Sequence, residues 1–91
     1  MANLGTINIS TEDNYVNITT LTDLTFTTGT KYNFQVQNCN SFLTVCESSS
    51  KPTKGGTRLK NFEKFSWTPE SGINLWVKTN YYVAATLNVS V

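Results

Sequence analysis

Lys51, Lys54, Arg58 and Lys60 crowd around Gly55-Gly56, and cations beside paired glycines are the raw material of an anion-binding loop. A phosphate-binding loop proper needs a longer glycine signature and a helix that starts directly after it. Neither follows Gly56, so the stretch reads either as a solvated loop or as a contact arm that reaches an acidic neighbour. Acid–base chemistry is harder to assemble. The chain has no histidine, which removes Ser–His and Cys–His nucleophile pairs within one chain. Its six carboxylates are scattered, mostly near turn signals where solvation explains them, and they do not suggest the paired acids of a glycosidase. Two cysteines without a histidine do not make a zinc site. No enzyme, cofactor or metal is expected.

The other conspicuous group is aromatic. Phe62, Phe65, Trp67, Trp76, Tyr81 and Tyr82 all fall in the last third of the chain. Phe65 and Trp67 share a parity and are expected in the core, with Phe62 on the opposite one unless a bend recruits it. In INLWVKT, residues 73–79, Ile73, Leu75 and Val77 share one face, and Trp76 lies on the other. Trp76 is then either the second inner face of a strand buried on both sides or a contact for another molecule, since Trp and Tyr are enriched at interface centres. Sugar stacking on exposed Trp and Tyr rings, with Asn74, Thr86 and Asn88 binding hydroxyls, ranks below it.

These residues need positioning elements, and composition indicates which. The 91 residues form one domain, 1–91, long enough to bury roughly two-thirds of the unfolded surface in one small core. Charged residues make up 14% of the chain, well under the roughly 25% usual for soluble domains. Fifteen Thr, eleven Asn and eight Ser stand in their place. Thr favours strands, and Asn and Ser favour turns. Net charge is +1, which argues against nucleic acid as the main ligand. Residues 1–30 carry Glu12, Asp13 and Asp23 and no base, a dipole that can order neighbouring copies. No stretch has the length and apolarity of a membrane span, and the start lacks the basic-then-apolar pattern of a signal peptide. Synthesis and folding in cytoplasm are expected.

Period-two alternation pervades the chain, and no apolar stripe has helical spacing. Strands are expected over Thr6–Ser10, Tyr15–Thr20, around Leu24 and Phe26, and over Lys31–Gln37, Phe42–Glu47, Phe62–Trp67 and the last two segments. Residues 48–56, SSSKPTKGG, are the one real loop, and Thr68-Pro69-Glu70-Ser71-Gly72 is a strong turn. The expected fold is all-β: a small antiparallel β-sandwich, or a barrel-like variant, of about seven to eight short strands. Register follows if consecutive strands pair as hairpins. Val77 then faces Val83, Leu75 faces Ala85 and Ile73 faces Leu87, which sets Trp76 opposite Ala84 and Lys78 opposite Tyr82. Earlier, Val36 faces Leu43 and Phe34 faces Val45, around a turn at Cys39-Asn40. This puts Cys46 opposite Asn33, about 20 Å from Cys39 at about 3.3 Å per residue, beyond disulfide reach. Two free thiols follow, in keeping with a reducing cytosol.

Two stretches of the second half, YNFQVQNCNSFLTVCESSSKPTKGG and LKNFEKFSWTPESGINLWVKTNYYVAATLNVSV, resemble small β-sandwich accessory proteins of tailed bacteriophage particles: decoration, head-fibre or tail-associated proteins. The shared pattern runs from a polar alternating strand through a Ser/Pro/Gly loop to an aromatic strand, an LWVKT strand and an alternating terminal strand, over residues 31–91. The tip Asn80-Tyr81-Tyr82 departs from it in lacking glycine. The resemblance implies a non-enzymatic structural component of the virion, assembled in the host cytoplasm and oligomeric. It would bind the major capsid protein, another virion protein or a neighbouring copy; the charge and the lack of a membrane span leave nucleic acid and a membrane out of the expected partners. On the reading of the residues, the contact face carries Asn74, Trp76, Lys78, Tyr81, Tyr82 and Ala84. Lys51, Lys54, Arg58 and Lys60 form a second contact loop. The alternative is a carbohydrate- or receptor-binding β-sandwich module.

Overall fold

The computed structural model describes residues 3–10, 14–39, 41–79 and 84–91. Eight strands and one short turn of 3₁₀-helix follow each other along the chain: β1 (Asn3–Ile9), β2 (Val16–Asn17), the 3₁₀ turn (Ile18–Thr20), β3 (Tyr32–Gln37), β4 (Phe42–Ser48), β5 (Thr57–Lys60), β6 (Lys64–Trp67), β7 (Asn74–Thr79) and β8 (Ala85–Ser90). They form two four-stranded antiparallel sheets, in the order β1-β8-β3-β6 and β2-β7-β4-β5. The all-β sandwich expected from period-two patterning is the observed architecture.

The pairing has a simple logic. β1 pairs with β8, β2 with β7, β3 with β6 and β4 with β5. The chain is thus a long antiparallel ribbon, doubled back at the β4–β5 turn and rolled so that β3 meets β8 and β4 meets β7. This is the wiring of a jelly roll. Among the described strands, only β4 and β5 are consecutive in one sheet, and the other connections cross between sheets.

That crossing corrects two registers. β7 and β8 lie in different sheets, as do β3 and β4, so neither expected hairpin exists. Trp76 faces Asn17 and Cys46, not Ala84. Leu87 faces Ile7 and Val36, and Leu43 faces Leu59 and Thr79. Cys46 lies beside Trp76, not Asn33, and both cysteines are free thiols, Cys39 within the core. The inward parities were right. Two rows assigned to one face as hairpin neighbours instead face each other across the core. A partner across the core satisfies the burial of an apolar row as well as a partner in the ladder does.

The core is built from those rows. Phe34, Val36, Leu87 and Val89 of the first sheet are fully buried, as are Leu43 and Val77 of the second. Phe26 packs edge-on to Tyr32 and Trp67, with ring centroids 5.0 and 5.5 Å away, and Phe65 stacks on Phe34 at 4.8 Å. Three expected elements differ. Leu24 and Phe26 pack on the core without a strand, and Thr27 donates its amide to the Tyr32 hydroxyl at 2.7 Å. The strand expected over Tyr15–Thr20 stops after Asn17, whose Oδ1 accepts from the amide of Thr19 at 3.1 Å and diverts the chain into the 3₁₀ turn. Phe62 sits in the turn before β6 at φ 70° and is exposed.

Candidate functional site

The outer face of the second sheet is set by parity. Val77 and Val45 point inward, so Trp76, Lys78, Thr44 and Cys46 point out. Cross-strand partners share a face, which extends the outer rows sideways. One row runs Asn17, Trp76, Cys46 and the next Lys78, Thr44, Arg58; Asn74 pairs with Ser48 and Phe42 with Lys60. Trp76 is half-buried, and its indole Nε1 donates to the Ser48 carbonyl at 3.0 Å. It is therefore neither a core residue nor a free ring. It lies along its own sheet, with one edge tied down and one flank exposed.

Tyr15, just before β2, folds over this face and is only 5% exposed. Its hydroxyl donates to the Gly55 carbonyl, forty positions along the chain, and so fastens the basic loop to the sheet. The close approach depends on glycine. A Cβ on Gly56 would stand 2.7 Å from the Val45 carbonyl oxygen and 2.8 Å from the Tyr15 hydroxyl, and the residue's φ is +101°. Burial raises the Tyr15 pKa above its ordinary value, and the Cys46 thiolate adds to the shift at high pH. Two cations lie over aromatic rings. The Lys78 ammonium sits 5.5 Å from the Tyr15 ring centroid, and the Arg58 guanidinium 4.5 Å from that of Phe42. Such contacts contribute about 0.5–1 kcal/mol each where solvent reaches them.

Between the loop and the sheet is a cleft of about 420 Å³. Lys54 enters from the loop, Arg58 from β5 and Lys78 from β7. Thr44 and Thr53 contribute hydroxyls, and Tyr15 and Phe42 form aromatic walls. Among the described residues, no carboxylate lines it. Three positive charges converge in a recess with hydroxyl donors, an arrangement that attracts oxyanions.

The contact face and the contact loop that the sequence suggests as separate features are thus one surface. Asn74, Trp76 and Lys78 lie on it, and Lys54 and Arg58 meet Lys78 in the cleft. Lys60 shares the face beside Phe42 without lining the cleft, and Lys51 is exposed on the loop outside it. Ala84 does not belong there. It is exposed in a crevice formed with Asn8, Ile9, Ser10, Asn38, Ala85 and Thr86, because its segment leads into the other sheet. Tyr81 and Tyr82, with the tip Asn80-Tyr81-Tyr82, lie outside the described residues. Sequence reasoning missed Tyr15, Phe42, Thr44 and Thr53. For Tyr15 a signal existed, since it alternates with Val16 as Asn17 does, but its partners are forty residues away or more.

The first sheet's outer face is different in kind. Thr6, Asn8, Asn33, Gln35, Thr86 and Asn88 face outward with Lys64, Ser66 and Ser90. Thr86 and Asn88 are therefore on the opposite side of the sandwich from Trp76 and Asn74. No protein-family model, curated protein or solved structure matches the chain.

Proposed function

We propose that this protein is a non-enzymatic docking module that binds through the outer face of β2-β7-β4-β5. We place it as a structural accessory component of a bacteriophage particle, a decoration, head-fibre or tail-associated protein. The observation that carries the docking reading is the convergence of Trp76, Phe42 and Tyr15 with Lys54, Arg58 and Lys78 on a single face. Aromatic rings and Arg dominate interface centres, and a cationic patch steers an acidic partner toward it. The partner is then an acidic surface of the major capsid protein, of another virion protein or of a neighbouring copy. The particle setting rests on the sequence resemblance over residues 31–91. The jelly roll is a frame that recurs in viral capsid and lectin domains, but a fold hosts many functions, so the site has to decide.

A glycan-binding role keeps one support. A depression of about 360 Å³ on the first sheet is lined by Asn33, Gln35, Ser66, Asn88 and Ser90, all groups that bind sugar hydroxyls. Phe34 and Phe65 also line it, but Phe34 is buried and Phe65 half-buried, so neither is the fully exposed ring on which the stacking reading depended.

The test follows the native protein through density-gradient purification of particles from the lysate that produces it. Co-migration in a fixed copy number per particle is the expected result. Recovery only in the free-protein fraction, with binding on a glycan array, would replace the particle role with the glycan one.

A further inference from the structure

We infer that the cleft between the 49–56 loop and the second sheet is a binding site for a small molecule carrying a phosphate monoester. The inference does not depend on the particle role, because it concerns what the recess itself can hold.

Four features point to this class of ligand. Lys54, Arg58 and Lys78 bring three positive charges to one cleft, and among the described residues no carboxylate lines it. A phosphate monoester carries about −1.5 to −2 charges at pH 7 and three acceptor oxygens, so it fits three cationic donors better than a carboxylate with a single charge does. Second, Arg supplies a planar fork for two oxygens while lysines act as point charges on the remainder. Third, the volume of about 420 Å³ falls within the range of small-molecule sites, roughly 300–1,000 Å³, and leaves room for the organic part of an ester. Fourth, the cleft is held in shape before any ligand arrives. The Tyr15 hydroxyl ties the loop at Gly55, and Gly56 lets the backbone close on Val45. The rings of Tyr15 and Phe42 are covered by Lys78 and Arg58, so they position the cations. Like charges held together repel, and an anion that binds only the folded chain relieves this and stabilises the fold by mass action.

The test is calorimetric titration and thermal unfolding of the full chain at pH 7 with glucose 6-phosphate, inorganic phosphate, acetate and chloride, all at one ionic strength. Saturable binding of both phosphates, with a rise in Tm that acetate and chloride do not produce, is expected. Glucose 6-phosphate binding more tightly than inorganic phosphate identifies an ester as the ligand, whereas equal affinity limits the site to the free anion and overturns the ester assignment. Arg58→Gln and Lys54→Gln should each weaken binding roughly tenfold, as loss of a charge-assisted contact does. Lys51→Gln, on the same loop outside the cleft, should leave it unchanged. The inference fails if acetate or chloride matches phosphate, or if Lys51→Gln weakens binding as much as the cleft variants do. Trp76→Ala removes a ring of the same face outside the cleft, and it should lose particle association while keeping glucose 6-phosphate binding, which separates this inference from the docking reading.

Discussion

The two outer faces of this sandwich share a frame and differ in chemistry. Behind each is an apolar row of the same kind, Val36, Leu87 and Val89 in the first sheet and Leu43, Leu75 and Val77 in the second. In front, the described residues of the first sheet offer amides and hydroxyls with Lys64, whereas the second offers Trp76, Phe42, Tyr15, Arg58, Lys60 and Lys78. The asymmetry does not come from the fold, which treats the sheets alike. It comes from the residue types at outward positions, of which Tyr15 and Trp76 also bond their own chain. One face holds amides and hydroxyls, and the other holds rings and charges.

Substitutions should affect the two sheets alike within the core and differently on their outer faces. The inner rows should be equivalent. Leu43→Ala and Leu87→Ala, one from each sheet and both fully buried, should each destabilise by about 2–5 kcal/mol in chemical denaturation. A large cost for one and a negligible cost for the other would mean that the sheets do not share one core. Next in size is Gly56→Ala. The added Cβ meets the Val45 carbonyl oxygen, and φ is +101°, so a loss of about 1–3 kcal/mol is expected. The same variant should move amide signals of Tyr15, Thr44 and Arg58 while leaving those of Asn33, Gln35 and Asn88 in place. Tyr15→Phe removes only the hydroxyl that holds Gly55, and about 1 kcal/mol should be lost. The amide face should be the most tolerant. Asn88→Ala should change stability by less than about 0.5 kcal/mol, and a larger cost would reveal a structural role for that face.

Tyr15 also gives the second sheet a pH signature. Its folded pKa is raised by burial and, secondarily, by Cys46, so the folded chain keeps its phenol neutral where the unfolded chain ionises. This contribution is complete below the ordinary tyrosine value near 10 and is lost as pH rises through the folded value. Alkaline titration followed by phenolate absorbance should show a late tyrosine that disappears in Tyr15→Phe. An unchanged titration curve would contradict the burial of that hydroxyl.

Much of this was legible in the sequence, within a definable limit. Alternation assigned the inward rows, because burial acts on each strand separately. It could not tell whether Leu75 and Ala85 are ladder neighbours or belong to opposite sheets, since both arrangements bury them. Trp76 was accordingly placed on the correct face and beside the wrong residue. β5 escaped notice because Leu59 is its only aliphatic residue, enough for an edge strand. Leu24 and Phe26 mimicked a strand because they alternate and pack inward, although the Thr27 amide bonds a side chain and not a ladder. The cleft was illegible for a different reason. Tyr15, Lys54, Arg58 and Lys78 converge only once β2 and β5 flank β7 and β4, and no local pattern records that order.

The most direct test of the account replaces one face at a time. Lys54→Gln/Arg58→Gln/Lys78→Gln and Asn33→Ala/Gln35→Ala/Asn88→Ala would be compared for particle association in the density gradient, with circular dichroism as the control for folding. Loss of association in the first variant and retention in the second is predicted. Retention in the first with loss in the second would contradict the assignment of docking to the β2-β7-β4-β5 face.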